Sequence, residues 1–210
     1  DGPTIRVERL SDGSIVADVN LELIGNDAIH VLNDGLLHLA PDRLDRITWD
    51  GTGEVEIEPM VTFDVPLDMP VLVQTIDPGI VIAGGPDPTG ESVGYLIDTV
   101  SGESIGMPGM LLMPFVHAQY ADGLPIGYVL VVMPNPDPSE STLQMYDVTT
   151  GQPVLISDPV DIAAQELAMA PAALRGDIGF VFLPDGRTVI LEAERGEASV
   201  VEAPADGGGW

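Results

Sequence analysis

Two stretches of this chain carry the same order of turns: residues 79–105, GIVIAGGPDPTGESVGYLIDTVSGESI, and residues 127–155, GYVLVVMPNPDPSESTLQMYDVTTGQPVL. Gly79 matches Gly127, Pro86 matches Pro134 and Pro88 matches Pro136, each 48 residues apart. After one inserted residue, Asp98 matches Asp147 and Gly102 matches Gly151 at a spacing of 49. A shorter copy, IGFVFLPDGRTVILEAERGEASVVE, runs over residues 178–202. Each copy reads strand, turn, strand, tight turn, strand. The tight-turn glycines Gly13, Gly53, Gly102, Gly151 and Gly196 follow one another at steps of 40, 49, 49 and 45 residues. A unit of this length cannot shelter its own apolar face and must stack on its neighbours.

The N-terminal part follows the same logic in hairpins. TIRVERL and SIVADVNLELI flank Ser11-Asp12-Gly13, AIHVLNDGLLHL turns at Asn33-Asp34-Gly35, and two strands over residues 44–57 turn at Asp50-Gly51-Thr52-Gly53. Alternating apolar residues around Asp-Gly and Asn-Asp-Gly pairs signal antiparallel hairpins. In EVEIE, Val55 and Ile57 belong to one face and Glu54, Glu56 and Glu58 to the other. Pro59, Pro66, Pro70 and Pro78 break residues 59–78 into short strands. One segment departs from the pattern. In SDPVDIAAQELAMAPAALRG, residues 157–176, Asp158 is a helix N-cap with Pro159 just inside, and Pro171 ends the helix near Met169. The spacing predicts one short helix inserted among strands.

Composition agrees with many short strands. Glycine and proline number 24 and 19, about a fifth of the 210 residues, which favours turns over long helices. Hydrophobic residues are 45% but aromatics only 5%, so the core is aliphatic. The formal net charge is −27, and all seven basic residues are arginine. Such a surface repels nucleic acid and anionic headgroups, which removes both as expected partners. It also needs salt to screen its self-repulsion, so a halophilic setting is one reading and an ordinary acidic protein the other. With no cysteine there are no disulfides, thiolate metal sites or cysteine nucleophiles. The stretch 104–121, free of Asp, Glu and Arg, contains two prolines and two glycines and is a poor membrane helix. The given residues are not expected to include a signal peptide. The start at Asp1 fits a removed leader, a piece of something longer or a trimmed chain, and an exported, periplasmic or extracellular location is expected, with the cytoplasm of a halophile as the alternative.

YDVTTGQPV (146–154), IDTVSGESI (97–105) and FLPDGRTVILEA (182–193) resemble blade segments of bacterial β-propellers of the WD40, quinoprotein and TolB-like groups, which use similar Asp-x-x-Thr-Gly and Pro-Asp-Gly-Arg turns. The tryptophan that often closes a quinoprotein blade is missing after Gly102 and Gly151, and the WD dipeptide occurs once, as Trp49-Asp50, without a preceding Gly-His pair. The resemblance and the repeat together imply an all-β fold: a β-propeller or propeller-like stack of four-stranded antiparallel blades with one short helical insertion. The alternative is a β-sandwich. The expected organisation is a single domain of about four and a half repeats, roughly 1–24, 25–58, 59–106, 107–156 and 157–205.

Chemistry is sparse. Asp98, Asp147 and Glu192 each stand four residues before a tight-turn glycine. They would ring a cation or, in the reading adopted here, accept backbone N–H bonds in their own turns. PDPTGES (86–92) and NPDPSES (135–141) lack the spacing of an EF-hand loop and read as solvated turns, with a weak divalent-cation site as the alternative. His30 and His38 flank Asn33-Asp34-Gly35, and two imidazoles opposite each other with an Asp nearby would bind zinc or copper. An ordinary cross-strand pair is the competing expectation. Neither a nucleophile elbow, a Walker loop nor an H-E-x-x-H pattern occurs, and no catalytic residue or cofactor is assigned. The most unusual local feature is MPGMLLMPF, residues 107–115. Met107, Met110, Leu111, Leu112, Met113 and Phe115 form an adaptable apolar set suited to a partner surface, or else a buried innermost strand.

These features point to a non-enzymatic, exported interaction or scaffold module, an accessory subunit of a larger assembly with a protein partner or a homo-oligomer, without nucleic acid or direct membrane insertion. A small-ligand or polysaccharide-binding propeller and a propeller enzyme of hydrolase or quinoprotein type are the alternatives. Two tryptophans offer little for sugar stacking.

Overall fold

The computed structural model describes residues 4–9, 11–21, 27–32, 34–111, 127–167 and 170–202, the side chains of residues 110 and 111 excepted. The described chain is all-β with one short helix. β1 (Thr4–Glu8) and β2 (Ile15–Asn20) form a hairpin. Four antiparallel sheets follow in chain order. The first holds β3 (Ala28–Val31), β4 (Leu36–Ala40), β5 (Arg43–Trp49) and β6 (Val55–Thr62). The second holds β7 (Val71–Gln74), β8 (Ile80–Pro86), β9 (Ser92–Asp98) and β10 (Ser104–Gly106). The third holds β11 (Met110–Leu111), β12 (Tyr128–Pro134), β13 (Glu140–Asp147) and β14 (Val154–Leu155), with β15 (Val160–Ala163) also paired to β13. After α1 (Ala164–Leu167) comes the last sheet, β16 (Ala172–Arg175), β17 (Ile178–Phe182), β18 (Thr188–Glu192) and β19 (Glu197–Val201). Within each, the strands run side by side in sequence order, as in a propeller blade, and not as an open pair of sheets.

Four apolar clusters occupy the spaces between successive sheets. Val19 and Leu21 meet Leu36 and Ile47. Leu37, Leu39 and Leu44 meet Leu72, Val81 and Ile97. Ile80, Ile82 and Leu96 meet Val129, Val131 and Tyr146. Leu130, Leu143 and Met145 meet Leu174, Val181, Val189 and Leu191. Central strands therefore serve two neighbours. Along β8, Val81 and Ala83 turn to one side and Ile80 and Ile82 to the other; along β12, Val129 and Val131 oppose Leu130 and Val132. Successive side chains of a strand point to opposite faces, so a strand covered on both sides is apolar throughout. Phe63, in the link after β6, stacks on Tyr95 with centroids 4.7 Å apart and so pins that link to the second four-stranded sheet.

The tight turns explain the repeat. Gly13, Gly53, Gly102, Gly151 and Gly196 all have φ between 68° and 84°. Side chains with a Cβ are disfavoured there, and glycine is not. In the four full sheets this turn joins the third strand to the fourth.

Two boundaries differ from expectation. β6 runs through Thr62, past Pro59, because the register shifts between Leu44 and Asp45 and the proline falls at that irregularity. The helix is four residues long, and the first part of its expected span is a strand, β15. Val160 and Ile162 alternate there, and β14 covers only two residues of β13, which leaves Glu140–Leu143 to pair with β15. Asp161 Oδ1 reinforces the pairing by accepting from Thr142 Oγ1 at 2.6 Å and Asn135 Nδ2 at 3.0 Å. At the break, buried Ser157 Oγ accepts from the Met145 amide at 2.9 Å, so a side chain substitutes for a ladder carbonyl. The Asp158 amide bonds Gly196 O in the next sheet at 2.9 Å.

Candidate interaction surface

The methionine-rich stretch begins on the link from β10 to β11. The Met107 amide donates to Gly94 O at 2.8 Å, and its half-buried side chain packs against the cluster between the second and third four-stranded sheets. At Gly109 a Cβ would lie 2.6 Å from Val132 O and from Met133 Sδ, so the backbone must pass this close to β12 without a side chain. Met110 and Leu111 then pair with Val132 and Val131, which makes β11 the first strand of its sheet. Leu112, Met113 and Phe115 lie outside the described residues.

The two histidines do not meet. The register sets His38 opposite Ile29 and His30 opposite Leu37. Positions one step out of register point to opposite faces, so the expected cross-strand pair, and with it the zinc or copper alternative, is corrected to two separate contacts. His30 Nε2 lies 3.1 Å from Gln74 Oε1 on β7. His38 is buried, with Nε2 at 2.8 Å from Asp27 Oδ2 and Nδ1 at 3.4 Å from Asp45 Oδ2. Arg43 closes the set through Nε, 3.1 and 3.0 Å from the two Asp45 oxygens, and this bond and charge hold its guanidinium above its ordinary pKa. Sequence spacing missed Asp27, Asp45 and Arg43. Only the pairing of His38 with Asp45 across the turn at Pro41-Asp42 would have revealed part of the set. Among the described residues, no three His, Asp or Glu side chains are placed to hold a metal ion.

The turn carboxylates act locally. Asp98 accepts from the Val100 and Ser101 amides at 2.7 and 3.1 Å, and Asp147 from the Thr149 amide and hydroxyl at 2.7 and 2.6 Å. Glu192 instead lies 3.2 Å from Arg195 Nε. In the two proline loops, Asp87 holds the Thr89 hydroxyl and the Thr89 and Glu91 amides, while Asp137 holds the hydroxyl and amide of Ser139. Asp12 and Asp50 make the same clasp with Ser14 and Thr52. Hydrogen bonds to the ionised form depress the pKa of Asp12, Asp50, Asp87, Asp98, Asp137 and Asp185, with the Ser or Thr hydroxyl leading at Asp12, Asp50, Asp87 and Asp137.

Exposed apolar surface lies elsewhere. Ile29 and Val31, on the β3 face turned toward the β1–β2 hairpin, are 36% and 72% exposed. On the outer face of the last sheet, Phe180 and Phe182 stack at 6.4 Å with 9° between ring planes, and Phe182 and Val201 are exposed. Trp49 is half-buried beside Ile5 and Val55, at the rim of a hollow of about 540 Å³ whose other walls include Asp50, Glu54 and Glu56. No helix among the described residues is long and apolar enough to cross a membrane.

No protein-family model matches the sequence, and no curated protein matches it. The N-terminal domain of Nup159 is a solved structure of similar fold, with a TM-score of 0.51 and 9% identity over 90% of this chain and 50% of that one. BamB from Moraxella catarrhalis and apo AztD from Citrobacter koseri align at TM-scores of 0.45 and 0.44 with 12% and 16% identity, over 93% and 95% of this chain and 56% of each of theirs. The chain is thus similar in fold to the N-terminal domain of Nup159, a β-propeller, and spans about half the length of the structures it matches.

Proposed function

We propose that this chain is a non-enzymatic, exported interaction module, an accessory subunit of a larger protein assembly. The observation that carries the reading is the contrast between inner and outer sheet faces. Every space between successive described sheets is filled with aliphatic side chains, yet Ile29 and Val31, beside the two-stranded hairpin, and Phe182 and Val201, on the outer face of the last sheet, remain exposed. Exposed apolar faces on an otherwise acidic surface suit protein docking. The repeating unit is of the WD40, quinoprotein and TolB-like kind, and the methionine-rich stretch from Met107 to Phe115 is a second contact region. Salt screens the charge of −27 and so strengthens assembly.

The test is capture of the tagged chain from native extracts at low and high salt, followed by native mass measurement. A stoichiometric protein complex is expected, more persistent at high salt. A monodisperse monomer with no co-purifying protein under both conditions would overturn the reading.

A further inference from the structure

In five turns of this chain an aspartate is clasped by the hydroxyl two residues on: Asp12 by Ser14, Asp50 by Thr52, Asp87 by Thr89, Asp137 by Ser139 and Asp147 by Thr149. In the repeat, Asp98 is the counterpart of Asp147, and Val100 stands where Thr149 stands. The Val100 amide still donates to Asp98 Oδ1 at 2.7 Å, but valine has no hydroxyl to add. Val100 is 84% exposed, more than any other large apolar residue described. Turn chemistry asks for a hydroxyl here, and burial does not ask for valine. A position that breaks a local rule with no folding gain points to function.

Val100 borders a hollow of about 280 Å³ at the seam between the first and second four-stranded sheets. Leu32 and Pro78 give it apolar wall, and Asp34, Arg46 and Thr99 polar wall. The hollow is braced from both sides. The Thr99 amide and hydroxyl donate to Gly79 O at 2.8 and 3.0 Å, which ties the β9–β10 turn to the β7–β8 turn. From β5, Arg46 Nη1 donates to Thr99 O at 3.5 Å and Nη2 to Asp34 Oδ2 at 2.8 Å. The guanidinium charge is therefore matched inside the hollow. An anion would find Arg46 engaged and a chain of charge −27 around it, and a cation would have to displace Arg46 from Asp34. An uncharged guest meets neither obstacle. The volume falls just under the roughly 300–1,000 Å³ of pockets that enclose a whole small ligand, so it suits a single side chain.

We propose that this hollow takes an uncharged aliphatic side chain presented by a segment of a partner protein, with Val100 as its outer lip. This deepens the interaction-module reading and rests on it. The guest lies against Leu32, Pro78 and Val100, and the paired Asp34 and Arg46 select against charged residues. The braced turns set the shape before the partner arrives, which lowers the ordering cost of docking.

The probe is N-acetyl-leucine methylamide, titrated while the methyl resonances of Val100 and Leu32 are followed. Saturable shifts are expected, with N-acetyl-serine methylamide about tenfold weaker. Val100→Ser restores the missing hydroxyl, so Tm should rise by about 2–4 °C while the leucine probe binds about tenfold more weakly. Val100→Ile should retain binding without the gain in Tm. Val154→Ser, exposed on β14, should leave both unchanged. A Val100→Ser chain with unaltered Tm, or with unaltered binding, would overturn the proposal, as would N-acetyl-leucine, an anion, binding as tightly as the neutral probe. In native extracts the Val100→Ser chain should lose a stoichiometric partner that the unaltered chain keeps. A partner held equally by both would overturn docking at this hollow, whatever the probe does, and leave the interaction module standing. No partner for either chain would overturn both.

Discussion

Replacing His38 by leucine removes the ring that stands between two buried carboxylates. The side chains of His38, Asp27 and Asp45 are 3%, 2% and 3% exposed, so water does little to relieve the loss. Taking a hydrogen-bond partner away from buried carboxyl groups costs about 1–3 kcal/mol or more. His38 serves two of them, while Asp45 keeps both Arg43 contacts, which puts the loss at about 3 kcal/mol. That is a large share of the roughly 5–15 kcal/mol that holds a domain folded. For a chain of this size it lowers Tm by about 6–12 °C. Urea unfolding followed by Trp49 fluorescence measures it, because Trp49 is half-buried in the cluster on the same side of this sheet. His30→Leu is the control. Its single half-buried contact with Gln74 is worth about 1 kcal/mol or less. A loss below about 1 kcal/mol for His38→Leu, or equal losses at the two histidines, would refute the argument that the buried hydrogen-bonded set around His38 stabilises the fold.

Acid should weaken the chain through its turns. The six clasped aspartates have folded pKa values below the unfolded value of about 3.9, so their contribution is complete above that pH and is lost as pH falls through the folded values. Tm measured from neutral to strongly acidic pH should hold until about pH 4 and then drop; a Tm rising steadily below pH 4 would mean that relief of charge repulsion outweighs the clasps. Gly53→Ala should cost more than Gly13→Ala in urea unfolding. Both positions pay about 1–2 kcal/mol for a left-handed backbone, but a Cβ at Gly53 also meets Val16 O at 2.8 Å, whereas Gly13 faces open space. Equal costs would remove the inter-sheet part of that reasoning. Raising salt from about 0.01 M to about 1 M shortens the screening length from about 30 to about 3 Å and should raise Tm. An unchanged Tm would show that the charge of −27 is spread too thinly to strain the fold.

The strands and their grouping were legible because the turns that separate them are local chemistry. An aspartate two residues before a serine or threonine, or a glycine that must take positive φ, leaves its mark in four or five consecutive letters. The fate of Val160–Ala163 was not legible, since it depends on β14 ending after two residues and leaving part of β13 open. The histidine pair misled for a related reason. His30 and His38 are eight residues apart, and only the actual register reveals that they fall on opposite faces. Asp27 reaches His38 from just outside β3, a placement with no periodic signature. The strand that carries half-buried Phe180 and exposed Phe182 has the same alternation as a strand covered on both sides, so nothing in its letters marks one side as open.

Two-sided strands such as β8 and β12 have a consequence for alignment. Where one face of a sheet meets solvent, a slip by a single residue drives greasy groups into water and is punished at once. Here a slip along Ile80-Val81-Ile82-Ala83 merely exchanges one aliphatic set for another, and the penalty is slight. The information that keeps partners in step must then reside at the corners, in the carboxylate clasps and the left-handed glycines. Errors of pairing should therefore be provoked more readily by editing a bend than by editing the middle of a strand.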